Sequence, residues 1–273
     1  PREHGRESER QSDRRKPGQR RGERDQGGQR ARNDQRRGQG ARRGPGRAIR
    51  VLPIAGALIG AVGGCVLMAA DALGLPPLPA AGFALAALLL TTGAFHEDGL
   101  ADSADGLGGG ATVARKLEIM KDSRIGTFGG AALVMSLFLR GALLASLIET
   151  VGAPRTALLM IAVNAASRVA ALMSHYLLPP ARTDGAAWAA ARPLPSTLVI
   201  AGTLAAAIAL APALAGLSPV RLALGLTAML AGAGAMTEIA RRQIGGQTGD
   251  IAGASQQIAE ILFLAVLASR LGL

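Results

Sequence analysis

The side chains best able to do chemistry in this 273-residue chain are concentrated in His96-Glu97-Asp98-Gly99-Leu100-Ala101-Asp102-Ser103-Ala104-Asp105-Gly106. Long apolar segments flank the region, and a basic run from Arg115 to Arg124 follows the motif. On a helix Asp98, Asp102 and Asp105 fall at i, i+4 and i+7 and share one face. Three carboxylates on one face repel each other, and nothing in the local sequence neutralises them. A hard divalent cation would, and Mg²⁺ in particular is held by a few carboxylates together with substrate phosphates. A solvated acidic loop is the bland alternative. The apolar flanks and the basic run that follows count against it.

Two further stretches point to phosphate. Lys121-Asp122-Ser123-Arg124 ends in Gly126 just before an apolar segment, a pattern that suits side-chain and helix N-terminal contacts to a phosphate. Gly245-Gly246-Gln247-Thr248-Gly249-Asp250 runs into Gln256, Gln257 and Glu260. Asp250 would serve as a plain N-cap, but the polarity continues more than a turn into the apolar segment, which a cap does not require. Asp250, Gln256 and Gln257 are therefore candidate substrate contacts. Inside other apolar segments, Arg140, Asn164, Ser167 and Arg168 would be costly against lipid and should face the interior. Asn164 and Arg168 share a face and are candidates for substrate binding; for Arg140 a structural pairing with Glu149 or the backbone is the alternative.

The elements that must position these groups are helical and membrane-spanning. Seven apolar segments are expected, at about 51–73, 79–95, 127–148, 156–178, 197–217, 219–239 and 251–270. Most are near the roughly 20 residues that cross a hydrocarbon core. Abundant Gly and Ala suit close helix packing in lipid. The fold class is thus an all-α polytopic membrane helix bundle. Nearly all of the net charge of +11 lies in the first fifty residues, so residues 1–47 are read as a disordered basic tail and 48–273 as the membrane domain. The tail offers non-specific attraction to anionic lipid or nucleic acid and no aromatic residues for base stacking. Lys and Arg are biased toward the connections 96–126, 179–196 and 240–250, which places all three in the cytoplasm, with only Arg155, Arg221 and Arg270 opposite. Residues 111–123 read as a short amphipathic helix in the interface. The single Cys65 excludes an intrachain disulfide.

The motif Phe95 to Asp102 with Asp105-Gly106, the run Arg115 to Gly126, and Gly246 to Asp250 with Gly253-Ala254 and Gln256-Gln257 closely resemble the cobalamin synthase family. The likeness covers roughly Val51 to the C-terminus. Where that family usually opens on a hydrophobic segment, this chain has its Arg-rich stretch. The resemblance implies an adenosylcobinamide-GDP ribazoletransferase of the bacterial inner membrane, with its catalytic loops in the cytoplasm. Its substrates would be adenosylcobinamide-GDP and α-ribazole or its 5′-phosphate, and other cobalamin-pathway enzymes would be possible partners. GMP would leave with Mg²⁺ as cofactor. On this reading Asp98, Asp102 and Asp105 hold the metal with Glu97 as a further ligand. His96 or a spare carboxylate takes the hydroxyl proton, and Lys121 and Arg124 hold phosphate oxygens. A transporter with a polar site around Arg168 is the reading from another class.

Overall fold

The computed structural model describes residues 49–182 and 192–269. The stretch read as a tail, residues 1–47, and part of the 179–196 connection lie outside them. The described chain is all-helical apart from one isolated bridge between Pro180 and Gln247. In order it forms α1 (Ile49–Ala72), α2 (Pro77–Thr92), α3 (Phe95–Gly109), α4 (Val113–Ile119) and α5 (Thr127–Val151). Next come α6 (Ala153–Ala170), its short continuation α7 (Leu172–Leu177), and α8 (Pro195–Leu210) with a 3₁₀ turn over Ala211–Ala215. The last two are α9 (Pro219–Ile244) and α10 (Gly249–Ala268). Proline in the first turn starts α2, α6, α8 and α9, where its missing N–H costs no helical bond.

Six spans are long and apolar enough to cross a membrane, and α2 with α3 would supply a seventh, bent by 89°. This agrees with the expected number of about seven. The bend is made by Gly93 and Ala94, both left-handed at φ 62° and 55°. Ala94 is the one described non-glycine residue with positive φ, a conformation that costs an L-residue about 1–2 kcal/mol.

The chain differs from its sequence reading after this bend. Residues 96–126 were expected as a polar connection, yet 95–109 form a helix packed along α5 and α10. Glu97 reaches Arg140 near the middle of α5, while Asp105 meets Gly126 and Gly129 at its start. α3 therefore runs beside the first half of α5. Apolar length alone could not reveal it, because Glu97 and Asp105 on its packed side are held by protein groups rather than by water.

Close packing follows from the small residues. A Cβ at Gly56 or Gly60 on α1 would collide with the carbonyl oxygens of Asn164 or Met160 on α6, so only glycine allows this approach. Large apolar side chains such as Leu58, Phe138 and Val199 point outward, as a lipid-facing surface requires. The polar connections converge at one end of the bundle. Gln247 donates its amide to the Pro179 carbonyl (2.8 Å), Ala181 donates to the Gln247 carbonyl (2.9 Å), and Lys116 Nζ donates to Gln243 Oε1. The expected amphipathic helix is α4, seven residues long, with Thr112 Oγ1 accepting from the Arg115 amide.

Candidate active site

α3 does present Asp98, Asp102 and Asp105 along one side, but the fold gives them unequal surroundings. Asp98 is exposed and Asp102 half-buried, whereas Asp105 is only 8 % exposed. The first amides of a helix have no partner within it. At the start of α5 Asp105 supplies them: Gly126 N–H donates to Oδ2 (2.7 Å) and Gly129 N–H to Oδ1 (2.8 Å). Both oxygens of Asp105 are thereby engaged in locking α3 to α5.

A different acid completes the patch. Gly99 on α3 and Gly253 on α10 touch backbone to backbone. A Cβ at Gly99 would lie 3.0 Å from the Asp250 carbonyl oxygen and 3.2 Å from Gly253 Cα. This contact carries Asp250 toward the acidic side of α3, and the charges of Asp98, Asp250 and Asp105 all act on Asp102. Asp250 is ion-paired with Arg182, whose charge also reaches Asp102. The N-cap of α10 is Thr248, whose hydroxyl accepts from the Ile251 amide (3.2 Å), and Asp250 sits in the first turn. Lys121 and Arg124 lie exposed ahead of α5. Arg124 binds Asp122 through Nε and Nη2 (3.0 and 2.6 Å), which holds the Asp122 carboxyl down at about 2.

The remaining expected contacts sit deeper, in one buried network. Arg140, only 2 % exposed, donates through Nη1 to Glu97 Oε1 (2.8 Å) and Gln257 Oε1 (3.1 Å), and through Nε to Glu260 Oε1 (3.0 Å). Gln257 Nε2 donates to Glu97 and to Gln256 Oε1, and Ser136 donates to Gln257. Gln256 Nε2 donates to Ser167 Oγ and Glu260 Oε2. Arg168 donates to the carbonyl and side-chain oxygens of Asn164. Glu97, Gln256 and Gln257, with Arg140 and Ser167, therefore tie α3, α5, α6 and α10 together, and the Asn164–Arg168 pair of α6 lines a small polar cavity beside them. His96 lines the same small polar cavity, beside Arg168 and Glu260. Two residues apart on a helix is about 200° at 3.6 residues per turn, so His96 projects away from Asp98.

Sequence reading missed Arg182 and the partners of Arg140, which are Glu97 and Glu260 rather than Glu149. An arginine inside an apolar helix signals a buried partner, but nothing local says which. Among the described residues, no three His, Cys, Asp or Glu side chains stand close enough to hold a metal ion by themselves. The donor set at Asp98 and Asp102 fits Mg²⁺ in the manner where substrate phosphates supply the rest of the shell.

Spans of this length, with acidic and cationic side chains gathered at one polar end, define a multi-pass membrane protein. A model of the cobalamin-5-phosphate synthase family matches residues 37–268, and the chain belongs to that family. The match begins within the Arg-rich stretch. The chain is 48 % identical over 221 residues to the adenosylcobinamide-GDP ribazoletransferase of Azorhizobium caulinodans, covering 80 % of this chain and 82 % of that one. It is 48 % identical over 218 residues to the protein of the same name from Xanthobacter autotrophicus, covering 80 % and 82 %. To that of Bradyrhizobium diazoefficiens it is 47 % identical over 228 residues, covering 82 % and 83 %. No solved structure matches.

Proposed function

We propose that this chain transfers the cobinamide phosphoryl group of adenosylcobinamide-GDP to α-ribazole or its 5′-phosphate, releasing GMP. Membership of the family and the shared name of its relatives support the reaction. The observation that carries the site is the gathering of Asp98, Asp102, Asp250 and Arg182 where α3 and α10 touch. A hydroxyl oxygen of the ribazole bonds to the cobinamide-side phosphorus. The bond from that phosphorus to the oxygen leading to GMP breaks, and GMP leaves with that oxygen. Such a transfer needs in-line positioning and charge neutralisation more than covalent help.

In this reading Asp98 and Asp102 hold Mg²⁺, which when bound neutralises phosphate charge and polarises the reacting phosphorus. Asp105 sets the register of α3 against α5, and Glu97 holds α3 to Arg140. The hydroxyl proton goes to a carboxylate of the patch, because His96 faces the opposite side of α3. Asp250 orients the Arg182 guanidinium, and Arg182, Lys121 and Arg124 meet phosphate oxygens. Arg124 then trades Asp122 for the substrate. Asn164, Arg168, Gln256 and Gln257 act through the buried network that fixes α10 against α3. The polar end faces the cytoplasm of a bacterial inner membrane, where other enzymes of the same pathway deliver the substrates.

The transporter reading is not supported, since Arg168 is bonded to Asn164 inside a closed network instead of lining a path. Purified protein should release GMP from adenosylcobinamide-GDP only when both α-ribazole and Mg²⁺ are present. Undiminished release in a chelator, or release without the acceptor, would refute the assignment.

A further inference from the structure

A cavity of about 230 Å³ lies at the same end of the bundle as the acidic patch, between the end of α7 and the turn that leads into α10. A cavity of about 150 Å³ already admits benzene, so a bicyclic ring has room here. Two leucines and three prolines, among them Leu178, Pro180 and Pro193, supply most of its described walls, and its polar residues are His175, Arg192 and Gln247. The apolar walls offer a ligand few hydrogen bonds. Proline has no N–H to give, the Leu178 amide is bonded to the Ser174 carbonyl (2.9 Å), and the Pro179 carbonyl already accepts from the Gln247 amide (2.8 Å). His175 Nδ1 is buried with no hydrogen-bond partner among the described residues. No neighbour on that side fixes the tautomer, so Nε2 can donate to a ligand. Arg192 donates from Nε to the Tyr176 carbonyl (2.7 Å) and lies 5.0 Å from the Tyr176 ring centre. Its planar guanidinium is thereby held in place, and such a plane stacks on aromatic rings.

The wall of this cavity leads straight into the acidic patch. Gln247 is bonded to Pro179 and Ala181 through its backbone, and a few residues further along the two segments Asp250 and Arg182 form their ion pair. Three residues of chain span at most about 11 Å, so one nucleoside can keep its ring in the cavity and a hydroxyl at the patch. We infer that this cavity seats the benzimidazole ring of α-ribazole, with His175 Nε2 donating to the ring nitrogen that carries no ribose and Arg192 stacked on the ring face. The inference rests on the transferase reading. The guanine of the donor carries hydrogen-bonding groups around its edge, and these walls would leave most of them unpaired, which is costly in a buried site. The benzimidazole has one ring nitrogen to satisfy and is apolar elsewhere.

The test is isothermal titration calorimetry of the purified full chain with α-ribazole and, separately, with GMP, alongside the kinetics of GMP release. His175→Phe keeps a ring but removes both nitrogens, and Arg192→Ala removes the stacking plane. Each variant should weaken α-ribazole binding by about five- to tenfold and raise the KM for α-ribazole to match, with GMP affinity and the KM for adenosylcobinamide-GDP held within about twofold. Arg192 is exposed, so its variant carries the test if His175→Phe fails to fold. Weakened GMP binding with α-ribazole unchanged would give the cavity to guanine and overturn the inference. So would α-ribazole affinity unchanged in both variants, an equal loss of both ligands, or a wild type that does not bind α-ribazole. A wild type that binds α-ribazole in this His175-dependent way but releases no GMP with Mg²⁺ present would refute the transferase reading instead, because the binding arm needs no turnover.

Discussion

Asp105→Asn separates a structural carboxylate from a chemical one. In the wild type both oxygens of Asp105 accept amide hydrogens, from Gly126 at 2.7 Å and Gly129 at 2.8 Å. Asparagine offers one acceptor and turns an NH₂ toward the other amide. One buried N–H then loses its partner, at about 1–3 kcal/mol, and the start of α5 loses a negative charge worth roughly 0.3–1 kcal/mol. The variant should be less stable by about 1.3–4 kcal/mol. GMP release per folded molecule should fall much less than in Asp102→Asn, which removes a proposed metal ligand and should cost about a hundredfold or more. Thermal unfolding in detergent, paired with turnover normalised to folded protein, reads both quantities. If Asp105→Asn unfolds like the wild type yet loses turnover as Asp102→Asn does, Asp105 is a ligand and the argument from its two amide bonds is wrong.

Asp98→Asn should match Asp102→Asn in turnover while leaving the unfolding midpoint near wild type; normal turnover at saturating Mg²⁺ would remove Asp98 from the metal site. Arg140→Met leaves Glu97 and Glu260 buried without a counter-charge and should destabilise by about 3–5 kcal/mol. Adding Glu97→Gln should recover part of that loss, and a failure to do so would show that the pair is not coupled as drawn. Gly99→Ala puts a Cβ 3.0 Å from the Asp250 carbonyl oxygen, so α10 must shift. Turnover should drop with little change in expression, and an unaffected enzyme would mean the α3–α10 contact does not set the site. In cells, with Cys65 replaced, cysteine at exposed Ser123 should be labelled only from the cytoplasm and cysteine at exposed Leu214 only from outside. The reverse pattern would invert the proposed orientation.

The sequence by itself determined the class of fold. Runs of apolar residues close to bilayer thickness, interrupted by only a few polar side chains, leave few alternatives to a membrane helix bundle. It also singled out the stretch where the chemistry is proposed, because acidic side chains between apolar segments need something to compensate them. The i, i+4, i+7 spacing correctly placed Asp98, Asp102 and Asp105 on one side of a helix.

What spacing cannot carry is the identity of a partner distant in the chain. Asp105 reads like its neighbours, but the start of α5 claims both its oxygens. Asp250 reads as a substrate contact with a plain cap as the alternative; Thr248 takes the cap position and Arg182 pairs with the Asp250 carboxylate. Gln256, Gln257, Asn164 and Arg168 read as substrate contacts because polar groups inside an apolar helix need partners. The partners turned out to be Arg140, Glu97, Glu260 and one another. Each such choice depends on which helices touch, and the close approach of Gly99 to Gly253 decides that contact for α3 and α10. A periodicity records which face of a helix is buried, whereas the group that meets that face is fixed only when the bundle packs.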